Sequence, residues 1–373
     1  MYRISNFQIY CLMVVLVAPI AILEQPKRLI GLTHHNAWLA CLATIIPGYL
    51  LIKMFSYIIR KSHNPFPYLL EEYLGKLGGR LLSFVYVLVF IFTASFTLSI
   101  FVNFIITNVL TNTPISVLIA PLLFVGYVII KTGFQSFARL CEIIVIVGLP
   151  GTFMLILLAC FQNIDIANLL PIGYTDIKDF RDAVASTTSI LGRLFPILTI
   201  AYFSNNPSKV DSVLVKVMFT YIAVILAPSI IITLIYGGFA GKMLVFPVFS
   251  LIRLVDIGKF ITNIDILFIG IWITGIIASL TLFWYMACFT SQQVFNLKEY
   301  GFLAAPTSLI IGVLALMMGP NILILDTINR TFIILVYLLF FIMIPFGIFI
   351  MALFKPDKPI DTSSNSIEPT VIM

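Results

Sequence analysis

Residues Thr331–Phe354 read TFIILVYLLFFIMIPFGIFIMALF, a run without a single charged side chain. An α-helix rises about 1.5 Å per residue and a hydrocarbon core is about 30 Å thick, so roughly 20 such residues cross a bilayer. Phe84–Phe101 and Val213–Tyr236 are comparable runs. Their apolar residues lie on all sides and do not alternate with polar ones, which excludes a transmembrane barrel. Helices are then the way to satisfy the backbone inside lipid.

The whole composition agrees. Of 373 residues, 61% are hydrophobic and 10% charged, against about 25% charged in soluble domains, and mean hydropathy is +1.10. The expected fold class is an all-α polytopic membrane protein. The first apolar stretch lacks a small-residue cleavage site and reads as a span, not a removed signal. Cys11, Cys41, Cys141, Cys160 and Cys288 fall in or beside apolar runs without paired or metal-like spacing, so they read as small core or lipid-facing residues. The net charge of +6 is scattered over loops, forms no basic stripe, and points away from nucleic acid.

Apolar runs place about ten spans, at roughly residues 5–29, 37–59, 81–110, 114–130, 137–161, 183–204, 212–237, 265–290, 302–318 and 329–354. Lys and Arg then divide 13 to 8 between the two sides, Arg193 lying inside a span. The excess marks the cytoplasmic side, with both termini there. Pro67–Leu74 and Phe249–Asp256 have apolar residues on one face and read as helices on the membrane surface or as solvated loop helices. Residues 357–373 are polar and read as a disordered cytoplasmic tail.

Ten spans divide into a first five-helix repeat at 1–161, an outer loop at 162–182 and a second repeat at 183–356. In an inverted repeat, spans 1 and 6 correspond and are expected to break near the midplane. Pro19 and Pro196 stand near the middle of those two spans.

No catalytic constellation is present: His34, His35 and His63 lie in loops, and no G-x-S-x-G, H-E-x-x-H or P-loop occurs. Neither an enzyme nor a metal or cofactor site is expected. The informative residues are ionisable groups at membrane depth, each costing at least ~2.5–3.5 kcal/mol. Arg193 precedes Pro196 by three residues, and Glu24 follows Pro19 by five. The two either pair beneath the outer mouth of a ligand pocket or snorkel separately; alternatively Arg193 grips a ligand carboxylate. Glu142 is expected to pair with Arg139 on its own helix. Pro19, Ile20, Ala21, Pro196, Leu198 and Thr199 line the two expected breaks. Asn103, Thr107 and Asn108 in span 3, with Ser279, Thr281 and Tyr285 in span 8, are candidate neutral contacts or plain interhelical hydrogen bonds.

The opening Ile4-Ser5-Asn6-Phe7-Gln8, the Pro26 … Asn36-Ala37-Trp38-Leu39 pair, Asp165-Ile166-Ala167-Asn168-Leu169-Leu170-Pro171 and Phe246-Pro247-Val248 follow one another in a characteristic order. In these the chain, from Ile4 to Lys355, resembles the B subunits of bacterial spore germinant receptors, the spore germination permeases of the amino acid–polyamine–organocation transporter superfamily. The resemblance implies a five-plus-five inverted-repeat (LeuT-like) fold. It also implies a small-molecule germinant (amino acid, sugar or nucleoside) bound between spans 1, 3, 6 and 8, with A and C subunits as partners in the spore inner membrane. The chain departs from the family where glycines are usual in span 1, carrying Ala18-Pro19-Ile20-Ala21, and in span 6, carrying Arg193, Pro196 and Leu198.

Three functions follow: a germinant sensor, a proton-coupled amino acid transporter, and a scaffold that binds nothing. Acids at membrane depth are few, Glu24 and Glu142, which counts against proton coupling. Filling of the pocket by Ile20, Ile22, Phe195 and Leu198 would favour the scaffold.

Overall fold

The computed structural model describes residues 3–62, 64–161, 164–255, 264–318 and 327–354. The expected tail, His63 and Asp256 fall outside the described residues. Among those described, the chain is helical apart from turns and one isolated backbone bridge between Ile4 and Ser204.

Eight helical segments are long and apolar enough to cross a membrane, and the shorter apolar helix Ile115–Lys131 supplies another crossing. The first segment, Asn6–Lys61, holds two crossings. Span 1 is Asn6–Thr33, and the backbone turns at His34 (φ 50°). Span 2 then follows as Ala37–Ala43 and Ile45–Lys61. Span 3 is the long part of Phe66–Asn108, and spans 4 and 5 are Ile115–Lys131 and Phe134–Ala159. Span 6 begins at Ile177, span 7 is Val210–Gly241, span 8 Asp265–Val294, span 9 Ala304–Met318, and span 10 ends at Phe354.

Cross-contacts fix the directions. Ser5 and Gln8 form a reciprocal capping box that starts span 1. From there Ile4 meets Ser204, Arg193 meets Leu16 and Thr187 meets Gln25, so span 6 runs antiparallel to span 1. Tyr10 bonds Thr220 while Lys53 bonds Asp211, so span 7 runs with span 1 and against span 2. Span 10 descends antiparallel to span 3, Phe332 lying on Phe92 and Phe340 on Tyr86. The first described residues and Phe354 therefore lie at one face, called here the N-terminal face. Opposed spans 1 and 6 are what an inverted repeat requires.

The expected surface helix before span 3 is present and has a physical cause. Pro65 and Pro67 open it, and Phe66, Leu69 and Leu70 are buried against the bundle. Gly75 turns the chain into span 3 at φ 76°, which an L side chain adopts only under strain. Across this bend Arg80 meets Glu71 at 3.0 Å. A Cβ on Gly79 would stand 2.5 Å from the Glu71 backbone. The second expected loop helix is found at Pro247–Arg253, and it is packed into the bundle: Pro247, Val248, Phe249, Leu251 and Ile252 are buried. All five cysteines are free.

On the opposite face, two sequence motifs meet. Asn36 donates through Nδ2 to Thr175 Oγ1 (2.9 Å) and to the carbonyls of Pro171 and Tyr174 (3.3 Å each). Its Oδ1 accepts from the Gly173 amide at 2.9 Å. Asn168 donates to the Leu234 carbonyl. One buried amide thus clamps the loop that the Asp165–Pro171 motif begins.

Candidate functional site

Span 6 is interrupted near its middle. Its α-helix Ile177–Leu191 tightens into a 3₁₀ turn at Gly192–Leu194, resumes over Ile197–Ile200, and tightens again at Ala201–Phe203. Pro196 lacks the amide that would continue the ladder. Span 1 differs from expectation: Asn6–Thr33 is one continuous α-helix with Pro19 and Pro26 inside it. The indole Nε1 of Trp272 donates to the Pro19 carbonyl at 2.6 Å, a hydrogen bond from a neighbouring helix beside the site where proline disturbs the ladder.

The interruption places Arg193 at the centre, fully buried. Its Nε donates to the Leu16 carbonyl of span 1 (2.9 Å) and Nη1 to the Tyr337 hydroxyl of span 10 (2.6 Å). Nη2 donates to Thr97 of span 3 (3.2 Å) and Ser279 of span 8 (3.0 Å). The guanidinium also lies 4.6 Å from the Phe283 ring centroid, a favourable cation–π placement. These hydrogen-bond partners are all neutral. The Glu24–Arg193 pair is replaced by this arrangement. Glu24 lies eight residues beyond Leu16, about 12 Å along the helix axis, is half-buried, and has other interactions. Glu142 likewise accepts from Gln8 of span 1, at 3.4 Å, in place of the expected Arg139.

The other candidates are spread out. Ile20, Ala21, Pro196, Leu198 and Thr199 are buried in spans 1 and 6. Asn103 is buried but bonds its own Ser99 carbonyl, about 9 Å along span 3 from Thr97. Thr107 is exposed near the far end of that helix. Thr281 faces span 4, where a Cβ on Gly126 would stand 3.2 Å from its hydroxyl. Tyr285 stacks on Phe134 toward the N-terminal face. Thr97, Phe283 and Tyr337 were not singled out in the sequence, and Ser279 was one neutral hydroxyl among several in span 8. An arginine at membrane depth demands polar partners at its own level, and that demand was the available signal.

Below Arg193 the bundle is filled. Phe195 stacks on Tyr86 with centroids 4.9 Å apart and on Phe341 at 5.3 Å, and Phe66 meets it edge-on at 4.5 Å. Tyr86 donates to the Phe340 carbonyl at 2.6 Å. Beside the Pro19 region, Val15, Ala18, Gly148, Trp272 and Gly275 border an apolar cavity of about 60 Å³. That is less than half of the ~150 Å³ that holds a benzene. The centre is therefore closed around Arg193 in this conformation.

Among solved structures, the chain is similar to Mhp1, a nucleobase-cation-symport-1 family transporter in a closed conformation with bromovinylhydantoin bound. The TM-score is 0.59 at 13% identity, covering 90% of this chain and 76% of that one. The likeness shows the fold, the five-plus-five LeuT-like arrangement. No curated protein matches significantly in sequence. Residues 3–323 match the family model described as spore germination protein, the spore permeases. With nearly all the crossings inside that match and the helical frame of a membrane permease around them, the chain belongs to the spore germination protein family.

Proposed function

We propose that the chain is the nutrient-recognising membrane subunit of a spore germinant receptor. In this reading a small germinant (an amino acid, sugar or nucleoside) binds where spans 1, 3, 6 and 8 converge. The change is passed to A and C subunits in the spore inner membrane, with both termini in the cytoplasm. The carrying observation is the Arg193 hub: one buried cation whose hydrogen-bond partners among the described residues are neutral groups from spans 1, 3, 8 and 10. A ligand that engages this cation, or displaces one of its partners, changes the free energy of five helices together. The size of the response is bounded by the ligand's differential affinity for the closed and opened arrangements.

The test is germination of spores carrying Arg193→Gln across a nutrient panel, beside spores lacking the gene and spores with an unaltered copy. The reading expects both altered strains to lose the same nutrient responses while the variant subunit remains in the membrane. Full responses from Arg193→Gln spores would remove the hub from recognition. A second reading, a scaffold subunit that binds nothing, is favoured by the burial of Ile20, Ile22, Phe195 and Leu198 in the closed centre. It expects Arg193→Gln to matter only through subunit abundance.

A further inference from the structure

A larger space opens on the N-terminal face, beyond the aromatic layer under Arg193. It measures about 320 Å³, within the ~300–1,000 Å³ range of small-molecule sites. The start of the chain, the end of span 2, the surface helix before span 3 and the inner end of span 6 surround it. Ile58, Leu69 and Leu198 give it an apolar wall, while Ser62, Asn64 and Asn205 place hydroxyl and amide groups around it. Among the described residues that line it, Arg3 is the one ionic side chain and there is neither aspartate nor glutamate.

This arrangement is built into the backbone. The Ile4 amide donates to the Phe203 carbonyl at 2.8 Å, and the Asn205 amide donates to the Ile4 carbonyl at 3.0 Å. Ser204 Oγ lies 3.3 Å from Asn6 Oδ1. The clasp fixes the backbone next to Arg3, whose exposed side chain borders the cavity together with Ser204 and Asn205. A guanidinium amid hydroxyl and amide groups, with no carboxylate among the described lining residues, suits the planar recognition of phosphate oxygens. The apolar wall suits whatever carries the phosphate.

We propose that this cavity binds a phosphate group attached to an apolar body, and that its occupancy holds the inner half of span 6. The source is either an anionic phospholipid, as in basic pockets at membrane faces, or a soluble phosphate ester. The site is separate from the Arg193 hub and stands whether or not the hub binds a nutrient. Leu198, in its wall, lies one turn past the Phe195 layer, so a filled cavity bears directly on the segment leading to Arg193.

The test uses the full chain in nanodiscs of phosphatidylcholine, with or without phosphatidylglycerol, and separately with butyl phosphate in solution. A raised unfolding midpoint and slower hydrogen exchange over residues 197–205 are expected with one of the two probes. The half-effective probe concentration should rise at least tenfold in Arg3→Gln and stay unchanged in Lys216→Gln, which removes an exposed charge outside the cavity. An effect of phosphatidylglycerol alone assigns the lipid, and an effect of butyl phosphate assigns the soluble ester. The proposal is overturned if neither probe acts, if Arg3→Gln responds like wild type, if Lys216→Gln loses the response equally, or if exchange over 197–205 does not slow.

Discussion

Substitutions at Arg193 separate its charge from its shape. The guanidinium donates four hydrogen bonds between 2.6 and 3.2 Å, each about 1.5–3 kcal/mol when one partner is charged. Against this stands at least ~2.5–3.5 kcal/mol for a cation at mid-membrane. Arg193→Lys keeps the charge but ends in one nitrogen without the planar fork. It loses about two of the four bonds and regains part through rotation, for a net loss near 3 kcal/mol. Arg193→Met removes the charge and its burial penalty while keeping an unbranched, adaptable side chain. Thr97 keeps its bond to the Thr93 carbonyl at 2.8 Å and Ser279 its approach to the Leu16 carbonyl at 3.4 Å. The methionine variant should therefore stay within about 2 kcal/mol of wild type. Denaturant titration in detergent, followed by tryptophan fluorescence, should rank wild type and methionine above lysine. The lysine gap should be on the order of a hundredfold in the unfolding constant, at 1.4 kcal/mol per decade. A lysine variant as stable as wild type would refute the view that geometry holds this hub.

Trp272→Phe removes the donor to the Pro19 carbonyl while keeping an aromatic ring near Phe101 and Phe104; thermal unfolding should show a loss of about 1–3 kcal/mol. Asn36→Ala frees the loop around 170–175, so limited proteolysis there should accelerate at least tenfold while span 6 stays protected. Gly79→Ala forces a methyl to 2.5 Å from the Glu71 backbone and should lower the amount of folded protein in membranes more than Gly75→Ala, which places a side chain at φ 76° and ψ 168° at a cost of about 1–3 kcal/mol. Asp211→Asn breaks a half-exposed pair with Lys53 and should change stability by at most about 1 kcal/mol.

The crossings were legible in the sequence because bilayer thickness imposes run length, and Arg193 was legible because a charge at that depth is rare. Its partners were hidden by geometry. Ser279 and Thr281 are two residues apart, about 200° around a helix. One meets the guanidinium and the other faces span 4. Choosing between them needs the rotation of span 8, which no single span's pattern encodes. Thr97 and Asn103 differ by less than two turns, within the uncertainty left by helix tilt. Pro19 misled for another reason: a proline inside a long apolar helix removes one ladder bond without ending the helix, and Asn6–Thr33 runs through it. Asn36 stood inside a recognised motif, but its clamp on the 170–175 loop required the tertiary fold.

Spans 1 and 6 are stitched at three levels: backbone to backbone at Ile4 and Ser204, Arg193 to Leu16 in the middle, and Thr187 to Gln25 near the far end. Sliding one along the other would tear all three seams at once. Their ties at Arg193 to spans 3, 8 and 10 are single hydroxyls on Thr97, Ser279 and Tyr337. An opening that leaves these three seams intact carries the two spans as one body; at the level of Arg193 it exchanges three hydroxyl contacts, and it must also release the Trp272 bond to Pro19 and the Tyr221 bond to Thr187.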